Sequence, residues 1–225
     1  MMSLTSTIRV EVADDHIVFR EGLVAQINNQ PDMIVVAVAG DAETALCEAV
    51  ASKADILLFD IEMPGTDAFT ATSDLAERHS PVRIIFLSAF SYDTYIERAI
   101  RAKAWGYISK SEPFSTVCDA IREVKAGWVY YSSEIRARIL NTPDGLRLRR
   151  SAWDGATTRA SQLTTRELEL LAYLASGSST KQIAQTMHIS AKTVDSHKSS
   201  LMHKLDIHDR VGLARFAFRE GIATP

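Results

Sequence analysis

Five short apolar runs alternate with stretches in which apolar residues recur every three or four positions, and this alternation fills the chain up to Gly127. The runs are Ile8–Ala13, Met33–Ala39, Asp55–Asp60, Val82–Ser88 and Gly106–Ser109. Between and after them, His16–Asn28, Asp41–Ser52, Asp67–His79, Tyr92–Arg101 and Pro113–Ala126 carry the helical spacing. Runs of nearly continuous Val, Ile and Leu suit parallel strands buried on both faces. With right-handed crossovers, the five units predict a doubly wound α/β domain with a five-stranded parallel sheet, flavodoxin-like, in strand order 2-1-3-4-5.

The pattern changes after Gly127. Ser132–Leu140 predicts one more helix, which Asn141-Thr142-Pro143-Asp144-Gly145 then ends. Residues 141–160 are rich in Arg, Thr, Ser, Gly and Asp without periodicity, which reads as a linker. From Leu163 onward the chain is helical throughout: Thr164–Ser176, Ser179–His188, Ser190–Leu205 and His208–Glu220 predict an all-α four-helix domain. Thr164-Thr165-Arg166-Glu167 has the spacing of a capping box at the first of these helices. The expected organisation is therefore an α/β domain over 7–130, a helix and linker over 131–160, and a helical domain over 161–225.

Charge separates the same parts. The net charge of −3 divides into −8 for residues 1–133, +3 for 134–160 and +2 for 161–225. An acidic front suits a metal or a cationic partner, and a mildly basic tail permits contact with nucleic acid. No apolar stretch approaches the roughly 20 residues of a membrane span. Met1–Thr7 lacks the basic and apolar regions of a secretory signal, so a cytoplasmic protein is expected. Cys47 and Cys118 fall at apolar helical positions and are expected as buried free thiols.

The polar residues at the strand ends carry the chemistry. In a doubly wound sheet the ligand site lies beyond the carboxyl ends of the strands. There the first strand presents Asp14 and Asp15, the third Asp60, the fourth Ser88 and the fifth Lys110. Asp60 is expected at an exposed strand tip, ahead of a Pro64-Gly65 turn. Three carboxylates at one mouth call for a hard divalent cation, and Mg²⁺ uses one or two carboxylates beside water and phosphate oxygens. Asp15 and Asp60 would ligate directly, Asp14 through water, and the main-chain carbonyl of Glu62 would complete the protein set. Lys110 then offers a charge and Ser88 a hydroxyl to a phosphoryl oxygen, the electrostatic positioning that phosphoryl transfer requires.

Ala13-Asp14-Asp15-His16, Asp60-Ile-Glu-Met-Pro-Gly65, Ser88-Ala89 and Gly106-Tyr107-Ile108-Ser109-Lys110 resemble the receiver domain of two-component response regulators. The resemblance implies that Asp60 is phosphorylated by a sensor histidine kinase with Mg²⁺ at the acid pair. It also implies that the Ser88 hydroxyl turns toward the phosphoryl group and that Tyr107 rotates inward as the switch. Glu62 and Phe90, two places beyond Asp60 and Ser88, would flank the route of hydrolytic water. Ile17 and Ser111 stand where many relatives have Pro.

In the tail, the helix starting Ser179-Thr180-Lys181 and the tightly joined helix from Ala191 form a helix-turn-helix pattern, whose second helix can enter a major groove. Val194, Leu201 and Leu205 make its core stripe, leaving Lys192, Thr193, Asp195, Ser196, Lys198 and Ser199 for phosphates and base edges. Main-chain N–H groups at Ser179, Thr180 and Lys181 offer a second phosphate contact. Leu163-Thr-Thr-Arg-Glu167, Lys181-Gln-Ile-Ala184 and Ser190-Ala-Lys-Thr-Val194 through Lys204-Leu205 resemble the LuxR-type DNA-binding domain, with Asp195 where many relatives have Lys. Together the two resemblances imply a transcription regulator of the NarL/FixJ class, not a turnover enzyme. Promoter DNA is the implied target, bound as a homodimer, with RNA polymerase as a further partner. Val211, Leu213, Phe216 and Phe218 exceed what a three-helix core needs and would supply core and dimer contacts. The alternatives are a phosphatase with Asp60 as nucleophile, or a regulator of the same architecture that works without phosphorylation.

Overall fold

Strand β1 (Ile8–Ala13) lies between β2 (Met33–Ala39) and β3 (Ile56–Asp60), and β4 (Arg83–Ser88) and β5 (Gly106–Ser109) extend the sheet. All neighbours pair in parallel. The computed structural model describes residues 7–63, 66–77, 80–142, 145–148, 159–187, 189–220 and 222–223. The Pro64-Gly65 turn, the 143–144 breaker, linker residues 149–158 and the expected helix ends His79 and His188 lie outside them. The chain divides into two units, residues 1–91 with 96–148, and residues 92–95 with 149–225.

Helices α1 (Ile17–Asn28), α2 (Ala42–Ala51), α3 (Ala68–Glu77), α4 (Asp93–Arg101) and α5 (Phe114–Lys125) follow β1 to β5 in turn, and apart from the first residues of α4 they lie in the first unit. Side chains alternate across the sheet. Val10, Val12, Ile56, Leu58, Ile85, Leu87 and Ile108 form one core with Leu23 and Ile27 of α1 and Val117, Ile121 and Val124 of α5. The opposite face carries Glu11, Leu57, Phe59 and Phe86, and Phe86 meets Phe69 of α3 at 4.9 Å between ring centroids. Asp41 caps α2 by accepting from the Thr44 N–H at 2.9 Å. The turns after α2 and α4 pass through Lys53 and Lys103 in the left-handed region, at φ 53° and 58°.

The fold class is as expected, with one addition: a sixth strand, β6 (Tyr130–Tyr131), pairs in parallel with β5. Gly106 makes room for it. A Cβ there would stand 2.9 Å from the Tyr130 carbonyl oxygen and 3.2 Å from Cγ2 of Ile85.

The helix expected over Ser132–Leu140 is reduced to α6 (Ser133–Arg136). Ile139–Thr142 (β7) instead pairs antiparallel with Gly145–Leu148 (β8), so part of the expected linker is a hairpin. Ile135 and Ile139 stand four apart, a spacing that imitates a helix. The hairpin is closed by the Thr142 hydroxyl donating to the Gly145 carbonyl at 2.6 Å, with Gly145 at φ 114°.

The second unit holds a 3-10 turn (Arg159–Gln162), α7 (Thr165–Ala175), α8 (Thr180–Thr186), α9 (Ala191–Leu205) and α10 (Arg210–Arg219). The expected capping box is present at Thr164 and Glu167, and a second one joins Ser179 and Gln182 at α8. Val194, Leu201 and Leu205 are buried on α9 as expected, and Asp206 in the left-handed region ends that helix. Leu213 and Phe216 of α10 are core residues, whereas Val211 is 61% exposed. The expectation of two buried thiols holds for Cys118 alone. Cys47 is exposed because α2 turns Ala42, Ala45 and Ala49 toward the sheet instead.

Candidate functional site: an acid cluster at the sheet edge and a helix-turn-helix

The carboxyl ends of β1, β3, β4 and β5 bring Asp14, Asp60, Ser88 and Lys110 together. Asp14, Asp60 and Ser88 are fully buried. Lys110 Nζ lies 2.8 Å from Asp14 Oδ2 and 2.9 Å from Asp60 Oδ2, bridging the two carboxylates. This corrects the expectation of an exposed Asp60. The carboxylate is fully buried and ion-paired to Lys110. Main-chain donors hold the acids in place: Glu62 N–H reaches Asp60 Oδ1 at 3.1 Å, and His16 N–H reaches Asp14 Oδ1 at 2.8 Å. The Arg20 guanidinium donates to the Asp14 carbonyl and ties α1 to this edge.

The electrostatics follow from burial. Desolvation pushes the Asp60 carboxyl up to about 6; the Lys110 ammonium opposes the shift and the Asp14 charge adds to it. Burial alone would depress Lys110, yet Asp60 and Asp14 hold it above its ordinary value. Donor atoms of Asp14, Asp15, His16 and Asp60 all lie within 4.8 Å of one another. Three carboxylates against one ammonium leave an excess of negative charge in a largely buried place. Oxygen donors with that excess fit a hard divalent cation.

Tyr107 is fully buried, and its hydroxyl donates to the Phe90 carbonyl at 2.5 Å. The Ser88 hydroxyl oxygen accepts from the Phe90 N–H at 3.0 Å. Ser88, Phe90 and Tyr107 thus form one connected group beside Asp60. Glu62 is nearly buried and Phe90 half-buried, at the two places beyond Asp60 and Ser88.

Sequence reading passed over His16 as a donor, although a histidine directly after an acid pair is a usable signal. It also passed over Glu11, whose side chain is fully buried in β1, with neither carboxylate oxygen having a hydrogen-bond partner among the described residues. Burial first, and the neighbouring Glu48 charge second, push that carboxyl up to about 8.

In the helical unit, Lys192, Asp195, Ser196 and Ser199 are exposed along α9, and Lys198 is half-buried. Three of the predicted contact hydroxyls are engaged locally. Thr193 Oγ1 lies 2.7 Å from Ser190 Oγ, Ser199 Oγ donates to the Asp195 carbonyl, and Ser179 Oγ caps α8. Lys181 is exposed and Thr180 half-buried at the start of α8. Glu167 joins the bundle: beyond the capping box it accepts from Lys204 Nζ at 2.7 Å and Ser200 Oγ at 3.0 Å, fastening α7 to α9.

Residues 10–122 match the model of the response regulator receiver domain, and residues 161–217 match that of bacterial regulatory proteins of the luxR family. The transcriptional regulatory protein LiaR of Bacillus subtilis is 35% identical over 212 residues, 94% of this chain and 97% of the relative. The oxygen regulatory protein NreC of Staphylococcus aureus is 34% identical over 94% of this chain and 97% of its own length. Among solved structures, a LuxR-family two-component response regulator from Aurantimonas matches with TM-score 0.56 and 30% identity, covering 59% of this chain and 94% of that one. The chain therefore belongs to the two-component response regulators that join a receiver to a LuxR-type regulatory domain, the NarL/FixJ class.

Proposed function

We propose that this chain is a DNA-binding transcription regulator switched by Mg²⁺-dependent phosphorylation of Asp60. The reading rests on the placement of Lys110 Nζ within 2.9 Å of both Asp14 and Asp60 at the carboxyl edge of the sheet. Residues 7–130 act as receiver, 131–160 as connection, and 161–225 as output domain. Asp15 and Asp60 would hold the cation directly, Asp14 would hold it through water, and the Glu62 carbonyl would complete the set. The bound ion supplies charge neutralisation at the acid cluster.

A sensor histidine kinase or a small acyl phosphate donates the phosphoryl group. An Asp60 oxygen forms the new P–O bond, the bond from phosphorus to the donor atom breaks, and the donor leaves with the electron pair. Lys110 moves from its two carboxylates to a phosphoryl oxygen, and the Ser88 hydroxyl turns to donate to another. That rotation takes Ser88 from the Phe90 N–H, and because the Phe90 carbonyl accepts from Tyr107 it couples phosphorylation to the loop at Phe90 and to Tyr107. The protein then acts only on its own phosphoryl group and turns over no external substrate.

On the output domain, Lys192, Lys198 and the N–H groups of Thr180 and Lys181 contact DNA phosphates. Ser196 and Asp195 face base edges, Asp195 accepting from a cytosine amino group. Thr193, Ser199 and Ser179 join the contact set where their hydroxyls exchange local partners for DNA. Two copies bind adjacent half-sites, with exposed Val211 of α10 available for pairing. The work is carried out in the cytoplasm; among the described residues no helix is long and apolar enough to cross a membrane.

The test is labelling by a radioactive acyl phosphate with Mg²⁺. Wild type labels and Asp60→Asn does not; persistent labelling of the variant overturns the phosphoacceptor assignment, and hydrolysis of added phosphate monoesters overturns the regulator reading.

A further inference from the structure

His16 directly follows the acid pair, at the N-cap position of α1, with extended backbone angles φ −82° and ψ 96°. The short polar side chains favoured at that position accept a main-chain N–H and stabilise the helix start by about 1 kcal/mol. His16 makes no such side-chain bond. Its ring turns back toward the acid cluster. Nδ1 stands 2.8 Å from Asp15 Oδ1 and 3.4 Å from Asp14 Oδ1, and the donor set with Asp60 spans no more than 4.8 Å.

The 2.8 and 3.4 Å separations of Nδ1 from the acid pair are those of adjacent ligands around one ion, and the full set needs only a small inward adjustment. Six donors at about 2.1 Å from a centre stand roughly 3.0 Å apart when adjacent and roughly 4.2 Å apart when opposite. The His16 main-chain N–H is already fixed to Asp14 Oδ1 at 2.8 Å, so the ring is anchored close to the cluster and needs only side-chain rotation to adjust. Its side chain is 51% exposed.

A nitrogen donor changes which cation the cluster takes. Mg²⁺ is a hard ion served by carboxylate, carbonyl and water, whereas imidazole suits the first-row transition ions. We propose that the His16 imidazole ligates the cation at this cluster. The centre is thereby a mixed nitrogen–oxygen site in which the imidazole strengthens the binding of a divalent transition-series ion more than that of Mg²⁺. This deepens the metal assignment made above and rests on it.

The experiment uses the full 225-residue chain, with Mn²⁺ as the probe, because a directly bound ¹⁴N modulates the electron spin echo of Mn²⁺. Wild type is expected to show ¹⁴N modulation of imidazole type that Mg²⁺ displaces only in large excess. His16→Ala and His16→Gln should lose it and bind Mn²⁺ about tenfold more weakly, with Mg²⁺ affinity changed less than twofold. Asp15→Asn, which removes a carboxylate ligand, should weaken both ions alike. Mn²⁺ bound without ¹⁴N modulation, or modulation that survives in both His16 variants, overturns the His16 assignment and leaves the phosphorylation reading standing. Failure of Mn²⁺ and Mg²⁺ alike to bind overturns the metal assignment itself.

Discussion

Glu11 should make the receiver less stable as pH rises, and Glu11→Gln should abolish that dependence. The carboxyl is fully buried in the middle of β1, with no hydrogen-bond partner for either oxygen among the described residues. Desolvation chiefly, and Glu48 secondarily, raise it from 4.5 to about 8. The folded form therefore keeps a proton that the unfolded chain releases near 4.5. Where folded protein binds more protons than unfolded, stability falls with increasing pH, at about 1.4 kcal/mol per unit within that window. The loss begins near pH 4.5, reaches about 1 kcal/mol at pH 5 and about 3 kcal/mol at pH 7, and levels off above pH 8. Glutamine keeps the shape and stays neutral, so its own unpaired amide adds an offset that does not vary with pH. Asp60 titrates in both proteins and cancels in the difference. Urea unfolding at intervals from pH 5 to pH 9 gives the two stability curves, and their difference should widen in favour of the variant by about 2 kcal/mol or more between pH 5 and pH 7. Parallel curves across that range would refute the reasoning.

Three other outcomes follow from the geometry. Glu167→Ala removes the carboxylate that closes the capping box and pairs with Lys204 and Ser200, so chemical denaturation should show the helical unit losing about 3 kcal/mol; a loss below 1 kcal/mol would reduce Glu167 to a helix cap. Gly106→Ala drives a Cβ to 2.9 Å from the Tyr130 carbonyl and should cost about 1–3 kcal/mol. Hydrogen exchange should locate that damage at Tyr130 and Ser132, and unchanged protection there would contradict the close approach of β6. Lys192→Ala and Lys198→Ala should each weaken DNA binding on specific and unrelated sequences alike and lower the salt slope by about 1; an unchanged slope would remove that lysine from the phosphate contacts.

The alternation of apolar runs with helical spacing determined the five βα units and their order, because a strand buried on both faces has few other sequences open to it. The polar strand ends were equally legible. The C-terminal edge of a parallel sheet is a consequence of topology, so Asp14, Asp15, Asp60, Ser88 and Lys110 had to meet there once the strands were ordered. Capping at Thr164 and the α9 core stripe were local, and local rules sufficed.

What depended on partners far along the chain was not legible. Glu11 reads as an ordinary residue of an alternating strand until helices close over that face and remove its water. Asp60 reads as an exposed tip until Lys110, fifty positions later, folds across it. The β7–β8 hairpin competes with a helix that the Ile135–Ile139 spacing favours, and pairing with Gly145–Leu148 decides between them. Sequence by itself determined which groups reach the site. Tertiary structure alone decided their burial and pairing, because desolvation and ion pairing depend on every neighbour in space.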